Sequence, residues 1–342
     1  MEALTLPPLH QTESLAITDE SGVGAARRVA SAWADALGFD DTRKGKLALV
    51  VTEAASNVFF HAGGGEILLR RLRDAAADGF EVLAVDRGKG MRNVNQCTED
   101  GYSTRGTAGT GLGSIARNSD VFDVFSVPDR GTVLLAQIWN GVPSEKARQF
   151  GAVCVALSGE EVTGDGYAVL MQPERTRIVL MDGLGHGQGA ADATLAGLHA
   201  AHANPGLGPA ALIERLHQVL RPTRGAAVAV VEIEPGAQRL RFAGVGNCSG
   251  SIHDPAKPRS QGLTSHNGTG GAQMPRLQEL GHSWPRDGLL IMHSDGLGTR
   301  WNLDDYPGLT RRHPSIIAGV LYRDFSRQRD DSTVLAFTAP SA

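Results

Sequence analysis

Apolar positions recur at two different periods along this chain, and the change from one to the other marks out its elements. Between Gly22 and Gly38, Val29, Trp33 and Leu37 fall at helical spacing and the run closes on glycine, which predicts a helix. A second helix should begin at Asp41, a residue type suited to cap a helix start, and run through KLALVVTEAASNVFFHA to the glycines at 63–65. Short strands follow in EILLRRL and FEVLAVD (80–86), then a glycine-rich loop over roughly 101–113, a helix in SIARN, and two closing strands, VFDVFSV and TVLLAQIW. That order predicts an α+β sandwich over 12–140.

After Trp139 the segment NGVPSEKARQ is polar, contains Pro143 and reads as a linker, placed at 141–149. Beyond it the apolar runs become short or alternating: AVCVAL, YAVLMQ, TRIVLMD, AVAVVEIE, QRLRFAGVG and GLLIMHSD. A long helical stretch from Ala190 to Leu220 interrupts them. Strands around a helical excursion predict a second α/β sandwich over 150–340. The segment SHNGTGGAQMP (265–275) reads as a mobile surface loop.

Composition narrows the function classes. Hydrophobic residues make up 41 % of the 342, enough for two cores, and the formal charge of −4 is scattered, without the basic footprint of a nucleic-acid partner. Three cysteines (Cys97, Cys154, Cys248) with no CxxC pair fit a reducing compartment and argue against a disulfide framework or a thiolate zinc site. The start lacks the pattern of a secretory leader, and no run approaches ~18 apolar residues. The expectation is a soluble, cytoplasmic chain with no membrane partner.

Candidate chemistry in the first half begins on the second helix. Glu53, Asn57 and His61 recur at i, i+4 and i+8 and share one face, beside an apolar stripe of Leu47, Val51, Ala54 and Val58. An amide oxygen can ligate Mg²⁺ and a carboxylate can accept a hydroxyl proton, although the same face could simply be solvated. The strand FEVLAVD ends in DRGKGM, with Asp86, Gly88 and Gly90; such a pattern can face a purine amino group, or be an ordinary turn. STRGTAGTGLGSIARN then supplies Gly106, Gly109, Gly111 and Gly113 ahead of a helix, where backbone N–H groups can cradle phosphate. No GxxxxGK[ST] occurs, so a P-loop is excluded, and the glycine loop comes too late in its domain for a dinucleotide fold.

In this order and spacing, these features resemble the N, G1 and G2 boxes of the GHKL ATPase family. Within it, residues 17–139 are most similar to the RsbT-type switch serine/threonine kinases of the bacterial stressosome. The resemblance implies a GHKL (Bergerat) sandwich that binds ATP, with Asn57 holding Mg²⁺ and Glu53 acting as general base or orienting the hydroxyl. It implies that Asp86 reads adenine, that Gly88 and Gly90 shape the base pocket with Thr132 near it, and that Gly109, Gly111 and Gly113 form the phosphate lid. His61 is left between a phosphate-side role and plain packing. The implied substrate is a serine or threonine on STAS-domain anti-anti-sigma or stressosome proteins, with a downstream phosphatase or sigma regulator as a further partner.

In the second half, aspartates sit at strand ends: Asp165 in VTGDGYAV, Asp182 opening DGLGHGQGA, Asp295 opening DGLGT, and Asp330 and Asp331 in RDDSTVLAF. Any one could be a turn. Together they form an oxygen-only donor set, which favours Mg²⁺ or Mn²⁺ over zinc and can hold two ions about 4 Å apart. These motifs resemble the PPM-type metal-dependent Ser/Thr phosphatases in their SpoIIE-like branch, RsbX-type within it, which implies an αββα sandwich binding two Mn²⁺ or Mg²⁺. Asp182 would bridge the ions as the central catalytic residue, with the Gly183 carbonyl, Asp165, Asp295 and Asp330 completing the set. Asp330 is preferred to Asp331 as the first residue of the D[DN]xT motif. His186 is left between phosphate contact and structure, and no evident arginine precedes Asp165 to clamp phosphate, unlike the eukaryotic relatives. The expected whole is a bifunctional signalling regulator that adds and removes Ser/Thr phosphate. Its alternative is a nucleotide-switched binding module fused to an active phosphatase.

Overall fold

The computed structural model describes residues 8–74, 77–94, 111–257 and 259–339. The chain forms two compact units, one of residues 1–148 with 302–323 and one of 149–301 with 324–342. Residues 302–323, which the sequence reading set in the second domain, thus cluster with the first.

In the first unit, β1 (Thr12–Ile17), β2 (Gly65–Arg73), β3 (Asp78–Asp86), β4 (Val121–Val127) and β5 (Gly131–Asn140) form an antiparallel sheet in the order β1-β2-β3-β5-β4. Helices α1 (Glu20–Ala36) and α2 (Asp41–Asn57) start on Asp19 and Asp40, whose carboxylates accept from backbone N–H groups of their first turns. These helices and α3 (Gly111–Arg117) bury Trp33, Leu47, Val51, Ala54 and Ile115 against Ile67, Leu69, Phe80, Val82 and Leu134 of the sheet.

The opposite side of the sheet is also buried. Strand alternation puts Arg70, Glu81 and Gln137 there, in register across β2, β3 and β5. The Glu81 carboxylate accepts from Arg70 Nε (2.9 Å) and Nη2 (2.7 Å), from Gln137 Nε2 (2.8 Å), and from the Ser315 hydroxyl (2.6 Å). Ser315 belongs to α6 (Pro314–Phe325), whose Gly319 passes so close to Val133 that a Cβ would come within 2.9 Å of its Cγ1. The sequence pattern does not single out this helix, because residues 314–323 are all buried, polar Ser315 and Arg323 included, and no solvent-facing side marks it.

The second unit packs two five-stranded sheets face to face. One runs β13 (Leu280–Ser283), β10 (Arg239–Val245), β9 (Ala226–Glu234), β8 (Thr176–Gly183), β7 (Asp165–Met171). The other runs β12 (Gln261–Leu263), β11 (Ser249–His253), β14 (Leu289–His293), β15 (Ser332–Thr338), β6 (Phe150–Val155). Between them lie Ile178, Leu180, Val231, Phe242, Met292, Leu335 and Phe337. Helices α4 (Gln188–Ala203) and α5 (Pro209–Leu220), split by Asn204 to Gly208, bury Ala193, Leu212 and Leu216 against Val179, Val228 and Val230 on the outer face of the first sheet. The segment 265–275 is pinned where the reading expected mobility: Gly270 and Ala226 exchange N–H···O bonds of 2.9 and 3.0 Å, and Gly246 N–H donates to His266 O at 2.9 Å. No helix among the described residues is long and apolar enough to cross a membrane.

Removing one partner of a buried ion pair leaves the other charge uncompensated. Glu81→Ala should therefore destabilise the protein by about 3–5 kcal/mol, read as a shift of the urea unfolding midpoint of the full chain. A change below about 1 kcal/mol would contradict this account of the sheet.

Candidate functional site

The first site is assembled at the C-terminal end of α2. Glu53 and Asn57 stand one turn apart and both face the start of α3: a Cβ on Gly111 would lie 3.3 Å from Glu53 Oε2 and 3.4 Å from Asn57 Oδ1. The Asn57 amide nitrogen is buried without a hydrogen-bond partner among the described residues. That nitrogen is a donor and suits an acceptor such as a phosphate oxygen, while the oxygen of the same amide is the atom able to ligate a cation. After Asn57 the helix widens into a π turn (Val58–Ala62) and stops on Gly63 in the left-handed region.

At the end of β3, Asp86 Oδ1 accepts from Gly88 N–H (2.8 Å) and Thr132 N–H (3.2 Å). Burial pushes its carboxyl above the usual range, against the pull of those two donors. Close backbone packing requires its glycine neighbours: Gly131 has φ +82°, and a Cβ there would lie 2.1 Å from Asp86 O. Ser126 Oγ accepts from Met91 N–H (2.8 Å) and lies 2.9 Å from Thr132 Oγ1, so Thr132 is set beside Asp86 from two directions. The structure thus brings Asp86, Gly88, Gly90 and Thr132 into one cluster, and Glu53, Asn57 and Gly111 into another, with Gly113 buried in α3. Gly109 lies outside the described residues. His61 is exposed and lines an open cavity of about 610 Å³ with Phe59, Phe60, Arg87, Gly88 and Lys89. That cavity touches neither Glu53 nor Asn57.

In the second unit, Asp165 opens β7 and Asp182 ends β8, directly opposite in the antiparallel register. Asp165 is 2 % exposed, and one carboxylate oxygen of each is buried without a partner. Burial raises both carboxyls, Asp165 well above its usual value with Asp182 adding to the push, and Asp182 to about 7 with Asp295 and Asp330 adding. Asp295 follows β14, and its Oδ2 accepts from Asn247 Nδ2 at 2.6 Å. The sequence analysis does not single out Asn247, which follows Gly246, a residue at φ +94°.

The neighbours Asp330 and Asp331 differ sharply. Asp331 accepts from Leu157 N–H on one oxygen and from Gly164 N–H on the other, each at 2.7 Å, and so fixes the residue ahead of Asp165. Asp330, among the described residues, accepts only from the Asp331 N–H (2.9 Å), and it adds its charge to the environment of Asp182. Gly183 packs where a Cβ would meet Ala190 O at 2.5 Å. His186 is exposed, with Nδ1 2.6 Å from Glu160 Oε1.

Among the described residues no three His, Cys, Asp or Glu side chains are gathered tightly enough to hold an ion unaided. The donor set still fits Mg²⁺ or Mn²⁺: all ligands are oxygen, two carboxylate oxygens are orphaned, and such ions keep several waters.

Comparison with known proteins matches two separate stretches of the chain. Residues 17–138 match the family described as histidine kinase-like ATPase domain, and residues 172–340 match stage II sporulation protein E (SpoIIE). The serine/threonine-protein kinase RsbT of Bacillus subtilis (strain 168) is 32 % identical over 123 residues, 36 % of this chain and 92 % of that protein. A solved structure from work on the bacterial stressosome as a modular system controlling secondary messenger signalling shares the fold at 24 % identity and TM-score 0.51, covering 55 % of this chain and 97 % of its own. RsbX in complex with magnesium aligns at 18 % identity and TM-score 0.47, over 55 % and 94 %.

Crowded carboxyls give the second unit a pH signature. The folded Asp182 carboxyl holds its proton up to about pH 7, whereas an unfolded aspartate releases it near 4. Its contribution to stability is therefore present below about pH 4 and lost as pH rises through 7. In EDTA-treated protein at pH 8, Asp182→Asn should raise the thermal midpoint by about 2–4 °C or more and flatten the decline between pH 5 and 8. An unchanged or lowered midpoint would show that the carboxylates do not repel.

Proposed function

Since this chain belongs to the family of the serine/threonine-protein kinase RsbT through its histidine kinase-like ATPase domain, and carries a SpoIIE-type phosphatase domain downstream, we propose that it is a bifunctional partner-switching regulator. Residues 12–140 phosphorylate serine or threonine on a STAS-domain protein, residues 150–340 remove such phosphates, and 141–149 connect them. The observation that carries the reading is that Glu53 and the Asn57 amide stand together against Gly111, while Asp165 and Asp182, opposite each other, each hold one buried oxygen without a partner among the described residues.

In the kinase half, Asp86, held by two backbone donors, presents its other oxygen to the adenine amino group. Gly88, Gly90 and Thr132 shape the base pocket, and backbone N–H groups at Gly109, Gly111 and Gly113 face the phosphates. Asn57 would hold Mg²⁺, which when bound neutralises phosphate charge. Glu53, a turn away, accepts the proton of the attacking hydroxyl or orients it. In the phosphatase half, Asp165, Asp182, Asp295, Asp330 and the Gly183 carbonyl would hold two Mn²⁺ or Mg²⁺ ions, which supply Lewis acidity for attack of water on a phosphate ester. Asp331 is a backbone clamp, which supports Asp330 as the ligand of the pair. Joining opposed activities raises the effective concentration of each at a shared partner, a stressosome or anti-anti-sigma protein whose phosphorylation feeds a downstream phosphatase or sigma regulator.

Incubation of the purified chain with a STAS protein, labelled ATP and Mg²⁺ tests this. Asn57→Ala should lower the initial rate of labelling at least about 100-fold, and Asp182→Ala should leave that rate intact and make the label persist through a chase with unlabelled ATP in Mn²⁺. Tight ATP binding without transfer would replace the kinase reading with a nucleotide-switched binding module.

A further inference from the structure

Phosphatase sites face an electrostatic problem: a phosphate dianion must approach a cluster of carboxylates. Bound cations answer part of it, and an arginine fork commonly answers the rest. Sequence inspection finds no evident arginine ahead of Asp165. The structure brings one from another direction. Arg224 lies two residues before β9, whose first residue, Ala226, pairs with Gly183, so it stands at the sheet end that carries Asp165 and Asp182. Leu184 N–H donates to Gly225 O at 3.0 Å, tying the residue after Arg224 to the loop that Asp182 opens.

The guanidinium lies across that loop. A Cβ at Gly185 would be 3.5 Å from Nη1, and a Cβ at Gly189 would be 2.6 Å from Nε. Gly189 is inside the first turn of α4 and has no left-handed φ to justify it, although glycine costs a helix about 1 kcal/mol relative to alanine. Its reason is space for Arg224. The arginine is exposed, and its one hydrogen bond among the described residues is a long one, from Nη1 to His186 O at 3.5 Å. No carboxylate pairs with it among the described residues, although Glu160, from the connection between β6 and β7, packs against the same loop and takes His186 instead.

We propose that Arg224 is the phosphate-binding residue of the second site, its fork donating to two non-bridging oxygens of a phosphoserine or phosphothreonine ester at the rim of the acidic centre. The proposal rests on the phosphatase reading above. It assigns Gly185 and Gly189 the task of keeping the guanidinium low over the loop, and it leaves the half-exposed Leu184 (46 %) beside the ester as an apolar contact for the substrate chain.

The test uses the full chain with Mn²⁺, p-nitrophenyl phosphate as ester and inorganic phosphate as ligand. Arg224→Ala should raise KM for the ester and Kd for phosphate, measured by calorimetry, about tenfold or more. It should leave kcat within about threefold and Mn²⁺ affinity unchanged. Arg224→Lys, which keeps the charge and loses the fork, should fall between. Gly189→Ala, which favours the helix while displacing the guanidinium, should reproduce the rise in phosphate Kd in a fully folded protein. Unchanged phosphate binding in Arg224→Ala, or a loss confined to kcat, overturns the proposal, the latter because it would mark an arginine that only positions the loop. A wild-type chain that binds phosphate without hydrolysing the ester would sink the phosphatase reading, while the Kd of the variant still decides the role of Arg224.

Discussion

A buried carboxylate must have its oxygens answered, and both units of this protein are organised by where that demand is met and where it is not. Glu81 is met in full by Arg70, Gln137 and Ser315, and the sheet of the first unit carries it between helices on both sides. Asp331 is met in full by two backbone N–H groups, which places Gly164 and therefore Asp165. Asp165 and Asp182, in contrast, each keep a buried oxygen with no partner among the described residues. The satisfied carboxylates are scaffolding. The others crowd together, where desolvation and mutual repulsion raise their carboxyls and favour a cation between them.

The same division governs the first site with weaker charges. Asp86 has one oxygen committed to the backbone, and burial raises its carboxyl against the pull of its two backbone donors and of Arg323 and His61 nearby. Asn57 has an unanswered amide. Each group is rigid on one side and open on the other, the condition under which a site recognises a ligand without first reorganising.

Much of this was legible in the sequence because the residues concerned punctuate periodic runs. Asp86, Asp182 and Asp295 end apolar strands, and Glu53 and Asn57 fall on one helical face, so strand ends and helix pitch bring them out. What stayed hidden depended on contacts between distant segments. Helix α6 is buried on every side over residues 314–323, its polar Ser315 and Arg323 included, so polarity does not mark an outer face. Asp330 and Asp331 are adjacent and chemically identical; only the Leu157 and Gly164 N–H groups, more than 160 residues away in sequence, tell them apart. Arg224 gave no local signal, because its significance lies in the two glycines it crosses, on a loop some 35 to 40 residues upstream.

The placement of residues 302–323 has a consequence for how such a protein can arise and be taken apart. These residues fall between Asp295 and Asp330 in the chain but cluster with the first unit, so the backbone passes from one unit to the other three times. A gene broken at any one point would give two products, at least one of them lacking part of its own fold. Modules joined by a single tether can be separated by one cut between them; units interleaved in this way cannot.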